Sequence, residues 1–151
     1  MQSVSRARAH VATSLPMTLY CFVGLGLMIQ GIRYVGSSEL MPYHSAVIDT
    51  RWEALSESYQ TLLLGLLKGF GAGSFCVGLA IIVLSLIPFR MGIQWARWAT
   101  PVVAATYTAS LVYVTSFALL PGATPIIVTT VLLSLVVIAA ACSVFAESPK
   151  V

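Results

Sequence analysis

Two cations placed within or beside apolar stretches are the residues in this sequence best suited to chemistry. Lys68 lies about two turns inside an apolar stretch, where a charge near the bilayer centre costs about 2.5–3.5 kcal/mol. Arg33 lies near the end of an earlier stretch, in the series Gln30, Arg33 and Ser37, which recurs every three or four residues. Cations at this depth require counter-charges. The acids available to them lie in the segment between the two stretches: Glu39, Asp49, Glu53 and Glu57.

We expect one or more of these acids to fold back and pair with Arg33 and Lys68. The pairs have two interpretations, a structural latch at the mouth of a helix bundle or a site for an anion or a lipid head group. Gly65, Ala72 and Cys76 share a helical face with Lys68, and such small residues let another helix come close. We therefore expect Lys68 to face the other helices rather than lipid.

His44 is a further candidate, because an imidazole can titrate near neutral pH. A carboxylate of Asp49 or Glu53 could orient it as a base, and a hydrogen-bonded loop histidine is the alternative. An apolar stretch that we expect to cross a membrane separates it from His10, so the two histidines cannot share a metal ion. The sequence predicts no metal site and no cofactor.

The composition places the chain in lipid. Hydrophobic residues make up 58% of the sequence, charged residues only 9%, and the mean hydropathy is +0.93. The net charge of +3 is scattered along the chain, which argues against a nucleic-acid partner. Three cysteines in separate apolar runs, without a C-x-x-C pair, are typical of small buried residues: Cys21, Cys76 and Cys142.

Four apolar segments are long enough to cross a bilayer core of about 30 Å, which needs about 20 residues. Pro88 ends the second segment, and Thr124 with Pro125 fits the start of a helix directly after a tight turn. The sequence thus predicts an all-α fold, a four-helix transmembrane bundle forming one domain over residues 1–151. The predicted spans are residues 15–35, 60–87, 99–120 and 125–145.

The distribution of cations gives the orientation, because Lys and Arg near span ends stay in the cytoplasm. Both termini are therefore predicted to be cytoplasmic, in a bacterial inner membrane. Trp95 and Trp98 would anchor the cytoplasmic rim and Trp52 the outer rim. The cations that fall on the cytoplasmic side are Arg6, Arg8, Arg90, Arg97 and Lys150.

The predicted outer loop, residues 36–59, is the one connection long enough to hold a structure of its own. Thr50 and Glu53 fit a capping box, so we expect a short amphipathic helix to begin near Asp49. Its apolar face would lie on the membrane surface. The residues that share this face are Trp52, Leu55 and Tyr59.

Gly65, Gly69 and Gly73 form a stripe with a spacing of four, which allows a helix backbone to approach closely. The stripe predicts helix packing against either an internal helix or another subunit, so a homo-oligomer or a partner membrane subunit is a possible partner. Several other small residues are equally suited to close contact: Gly24, Gly26, Gly31, Thr100, Ala104, Thr108, Thr130 and Ser134.

Two segments carry a family resemblance: MPYHSAVIDTRWE at residues 41–53 and LIPFRMGIQWARWA at residues 86–99. They resemble a group of small bacterial four-helix integral membrane proteins of uncharacterised function, over roughly residues 30–120. The general plan is also similar to that of DoxX-like proteins. The resemblance implies a topology and no reaction.

These observations favour a non-catalytic membrane protein that binds a partner subunit or membrane lipid through its outer face. One alternative is a small transporter or channel subunit that uses Arg33 and Lys68 for an anion. Another is a membrane enzyme that acts on a lipid or quinone at the outer rim, with His44 as its base.

Overall fold

The computed structural model describes residues 2–48, 50–116 and 124–145, with side chains for residues 14–45, 47, 50–116 and 127–143. These residues are helical apart from short connections and contain no strand, which confirms the all-α prediction. The helices are α1 (Gln2–Val35), α2 (Pro42–Ile48), α3 (Glu57–Leu84), α4 (Gln94–Ser116) and α5 (Thr124–Phe145).

Two helical segments are long and apolar enough to cross a membrane, Ser14–Val35 and Glu57–Phe89. They coincide with the first two predicted spans. In α5 the apolar segment Ile127–Ser143 is shorter, and α4 starts at Gln94, earlier than the predicted residue 99. Most of the predicted turn between the last two spans falls on residues 117–123, outside the described residues.

The second long helix ends directly after its proline, as predicted. From Ser85 to Phe89 the chain continues α3 as a π-helical turn. Pro88 cannot donate a backbone hydrogen bond, and the wider turn accommodates that loss. The Ser85 hydroxyl donates to the Ile81 carbonyl at 2.7 Å. Gly92, with φ of +74°, then reverses the chain into α4.

Helices α1 and α3 pack against each other through glycines, in an antiparallel arrangement. A Cβ atom built on Gly24 would lie 2.7 Å from the Gly78 carbonyl oxygen, and one built on Gly31 would lie 2.6 Å from the Gly71 carbonyl oxygen. Each helix thus contributes two glycines seven residues apart, which fall on one face. The two backbones touch at both places, and no larger side chain fits there without a shift.

The glycine stripe predicted for packing lies elsewhere. Gly65, Gly69 and Gly73 are exposed, and a Cβ atom on any of them would meet nothing within 4 Å. Packing against an internal helix is therefore wrong for this stripe. The physical reason is angular: Gly71 and Gly78 lie on roughly the opposite face of α3, and that face is the one that α1 covers.

Buried side chains form two clusters. The main core joins all four long helices, with Tyr20 and Leu27 of α1, Ile81 of α3, Leu111 of α4 and Val136 of α5 among its members. The smaller cluster, here called the outer cluster, consists of Tyr34, Leu40 and Leu67 with Met41, Tyr43, Trp52 and Leu63 packed on them. It draws on α1, α2, α3 and the segment between them. The described parts of α4 and α5, which form a second helix pair, contribute none of its members.

The glycine contacts give a prediction in which two similar substitutions have opposite signs. Gly31→Ala is expected to destabilise the protein by about 1–3 kcal/mol, because the added methyl group overpacks a backbone contact. In the single chain, Gly69→Ala is expected to be neutral or to stabilise by up to about 1 kcal/mol, since alanine favours helix and the space beside Gly69 is open. Thermal unfolding of both variants in one detergent measures the difference. Equal melting temperatures would contradict the close α1–α3 contact.

Candidate functional site

A large cleft of about 1020 Å³ lies where the two helix pairs separate. Its volume is at the upper end of the ~300–1,000 Å³ that small-molecule sites occupy. Helices α1 and α3 form one wall, α4 and α5 form the other, and residues 40–44 and Val47 cover one end. The wall residues are mostly apolar: Gly26, Ile29, Leu63, Leu66, Leu67, Phe70, Leu111, Val114, Val128 and Leu132.

The cleft opens sideways, between helices, rather than only at the end of the molecule. Leu66, Val114 and Val128 line it and are also 63%, 54% and 52% exposed. Apolar side chains thus continue from the cleft to the outer surface of the helices. One turn further along, a 2.5 Å hydrogen bond between the Ser74 and Tyr107 hydroxyls joins α3 to α4 and closes the gap.

Polar groups gather at one end of the cleft, where α1 ends and α2 begins. Arg33 and Gln30 line this end from α1, and Tyr43 and His44 line it from α2. The Tyr34 and Tyr43 hydroxyls form a 2.6 Å hydrogen bond that fastens α2 to α1. The His44 ring lies 4.3 Å from the Tyr43 ring and 5.9 Å from the Tyr34 ring, measured between centroids.

The α2 helix brings these residues together for local reasons. Pro42 is its first residue, where a fixed φ favours helix and a missing N–H costs nothing. The His44 amide donates to the Met41 carbonyl at 2.8 Å, which forms the turn into the helix. Leu40 is buried against Tyr34 and Leu67 and holds the start of the helix on the α1–α3 pair.

Burial controls ionisation at this end of the cleft. It raises the pKa of Tyr43 above its ordinary value, and the hydrogen bond between Tyr43 and Tyr34 adds to this rise, whereas the nearby Arg33 charge opposes it. Burial also lowers the pKa of His44 below its ordinary 6.5, so the imidazole is neutral at pH 7. Its Nδ1 atom is buried and has no hydrogen-bond partner among the described groups.

The two predicted cations are separated. Arg33 lines the cleft, whereas Lys68 does not. Lys68 is exposed, at a position on α3 between the packed face of Gly71 and the open glycine stripe, so the prediction that it faces the other helices is wrong. Because Gly71 occupies the packed face of α3, a residue three positions earlier projects to the side. A long side chain can reach the membrane boundary from there.

The predicted ion pairs do not form within the described part of the chain. The one ion pair there joins Arg51 Nε to Glu53 Oε2 at 4.0 Å, between side chains that are 91% and 74% exposed. Glu39 and Glu57 are exposed as well, and Asp49 lies outside the described residues. Solvated carboxylates lose hydration when they enter an apolar site, which opposes pairing with Arg33.

The prediction of a loop helix that begins near Asp49 is wrong, because the α-helix of this loop ends at Ile48. Pro42–Ile48 is helical, and Thr50 and Glu53 do not cap an α-helix; only a single 3₁₀ turn follows, at Trp52–Ala54. The Gln60 side-chain amide donates to the Trp52 and Leu55 carbonyls at 2.9 and 3.2 Å, so the start of α3 holds this turn in place.

The three tryptophans occupy two kinds of environment. Trp52 packs on the outer cluster instead of lying on a surface helix. Trp95 and Trp98 are 55% and 57% exposed in the first turns of α4. An anchoring role at the membrane boundary stays a prediction for them.

Several cleft residues were absent from the sequence-based set. Tyr34 and Tyr43 stand beside predicted residues, but nothing in their spacing indicates the bond between them. Thr115 and Thr129 line the opposite wall, with their hydroxyl oxygens 3.2 Å apart. They come from different helices, so only the packing of α4 on α5 brings them together.

The lowered pKa of His44 predicts that acid destabilises the fold. Between the ordinary pKa and the lower folded pKa, the unfolded chain binds more protons, so stability is complete above about pH 6.5 and falls as the pH drops through the folded pKa. His44→Gln is expected to reduce the fall in melting temperature between about pH 7.5 and about pH 5. His10→Gln is the matched control. If the melting temperature of the His44 variant fell as much as that of the parent, His44 would not be the source of the acid destabilisation.

Comparison of the chain with protein-family models, with curated proteins and with solved structures found no match in any of the three. The resemblance of residues 41–53 and 86–99 to small four-helix membrane proteins therefore stays a prediction. The cleft and its polar end are the features from which a function can be inferred.

Proposed function

We propose that this chain is a multi-pass protein of a bacterial inner membrane, with four spans and both termini in the cytoplasm. Two helices that are apolar and long enough to span support this proposal. So does the outer surface, because large apolar side chains are exposed on each long helix, for example Phe22, Leu79, Val102 and Ile138. Lipid tolerates such surfaces, whereas water rarely does.

The antiparallel packing supports the orientation. Arg90 and Arg97 lie between α3 and the early turns of α4, at the end opposite to the last turn of α1. Cations close to the membrane favour the cytoplasmic side. The cleft then lies in the outer half of the membrane.

We propose that the protein is non-catalytic and holds a membrane lipid in this cleft, with the hydrocarbon between the helix pairs. One observation carries the proposal: the cleft is apolar, about 1020 Å³ in volume and open sideways through exposed Leu66, Val114 and Val128. The acyl chain of a lipid within the membrane can enter such an opening without crossing water. Each methylene group that is buried contributes about 0.8 kcal/mol to the free energy of binding.

The surroundings of His44 favour binding over catalysis. The rings described beside His44 belong to Tyr34 and Tyr43, and its buried Nδ1 atom has no described hydrogen-bond partner, so no described carboxylate orients the imidazole as a base. Glu53 is engaged with Arg51.

A partner helix is a second proposal, for a different surface. Gly65, Gly69 and Gly73 are exposed and leave open space beside α3, which suits close approach of a second copy or a partner membrane subunit.

Filling the cleft tests the lipid proposal. Val128→Trp places a large ring in the cleft, and Val137→Trp, at a residue 59% exposed on the same helix and not among those lining the cleft, is the matched control. Displacing about two methylene groups should weaken lipid binding roughly tenfold, at about 0.8 kcal/mol each. Mass spectrometry of lipid retained in mild detergent measures the ratio. Equal lipid content in the parent and both variants would contradict the proposal.

Cysteine labelling tests the topology. In a chain with its three native cysteines changed to serine, Ser38→Cys lies in the outer loop and Met91→Cys in the turn before α4; both positions are exposed. A membrane-impermeant maleimide is expected to label Ser38→Cys in intact spheroplasts, and Met91→Cys only after permeabilisation. Labelling of Met91→Cys in intact spheroplasts would reverse the orientation.

A further inference from the structure

The charge in the cleft is confined to one place. Of the described side chains that line it, Arg33 is the one with a permanent charge, because a guanidinium stays protonated in proteins. His44 is neutral at pH 7, as shown above, and the other polar lining groups are an amide and hydroxyls. An otherwise apolar cavity therefore has a single positive end.

No described carboxylate neutralises this end. The ion pair found in the described part of the chain engages Arg51 rather than Arg33. Arg33 is exposed to the cleft and its mouth, so its guanidinium can form paired hydrogen bonds with a ligand anion. Phosphate and carboxylate oxygens fit the guanidinium fork in a bidentate manner.

The polar and apolar parts of the cleft follow one another as the head group and the hydrocarbon of a lipid do. Arg33 stands in the last turn of α1, and Gln30, Ile29 and Gly26 follow it inward along the same wall. A head group at Arg33 would therefore direct its hydrocarbon into the apolar part. The Tyr34–Tyr43 hydrogen bond uses one hydroxyl hydrogen and leaves the other as a donor at this end of the cleft.

We propose that the cleft selects lipids with an anionic phosphate head group and that Arg33 is the residue that binds the phosphate. This inference rests on the proposed lipid-binding function and adds the class of lipid. A zwitterionic lipid brings an ammonium group, for which no described residue lining the cleft provides a carboxylate. A neutral ligand such as a quinone would offer the Arg33 guanidinium no charge with which to pair.

Lys68 provides the matched control for this proposal. It is also a cation exposed on a long helix, but it does not line the cleft. Arg33→Gln and Lys68→Gln change the net charge equally, so a general attraction of anionic lipid to a basic protein would respond to both. Only a head-group site at Arg33 would make the lipid binding of the two variants differ.

The experiment is native mass spectrometry of the full chain in mild detergent, titrated with phosphatidylglycerol and phosphatidylethanolamine of identical acyl chains. We expect the parent to bind phosphatidylglycerol about tenfold more tightly, a difference of about 1.4 kcal/mol. Arg33→Gln should remove this preference, and it should weaken phosphatidylethanolamine binding less than phosphatidylglycerol binding, because both lipids carry the phosphate but only the first also carries an ammonium group. Lys68→Gln should keep the preference, and Arg33→Lys should keep part of it, because the charge remains and the fork is lost.

Four results would overturn the inference. Equal binding of the two lipids by the parent, or equal loss of preference in both glutamine variants, would reject Arg33 as the head-group site while leaving lipid binding intact. Binding of inorganic phosphate with the same dependence on Arg33 would identify a soluble anion as the ligand. Absence of binding for both lipids, in a parent with a cooperative melting transition, would reject the lipid-binding function itself.

Discussion

Backbone contact between α1 and α3 is the constraint on which the rest of the structure depends. Gly24 meets Gly78 and Gly31 meets Gly71, so the two helices approach more closely than side chains would allow. In lipid, helices gain little from the hydrophobic effect when they associate, and close van der Waals packing takes its place. The two pairs of glycines fix both the register and the antiparallel direction of this contact. Helix α1 therefore packs against α3 along most of its apolar length.

The position of the cleft follows from this packing of α1 on α3. Helices α4 and α5 pack on the faces that α1 and α3 leave free, and all four meet in the main core around Leu27, Ile81, Leu111 and Val136. Toward the other end, α2 and Trp52 join α1 and α3 in the outer cluster. The described parts of α4 and α5 do not take part in it, and the space that remains is the cleft.

The same packing sets the chemistry of the cleft. The hydroxyl bond between Tyr34 and Tyr43 holds α2 over its mouth and places His44 where burial keeps the imidazole neutral. The carboxylates described in the loop stay in solvent, so they add no charge to the lining. Arg33 consequently gives the lining of the cleft its positive charge. Lys68, a cation of the same charge, has no part in the lining because its position on α3 lies beside the face that α1 covers.

The sequence by itself determined the helical class of this protein and the limits of its long apolar helices, because runs of apolar residues and the proline at residue 88 act locally. It also identified Arg33 and His44 as residues of interest. The tertiary structure decided which faces meet. Two glycine patterns were present, with spacings of four and seven, and both suit helix packing; the choice depends on a partner helix far along the chain. The direction of Lys68 and the Thr115–Thr129 contact were decided in the same way, since each depends on residues that come together only when the helices pack.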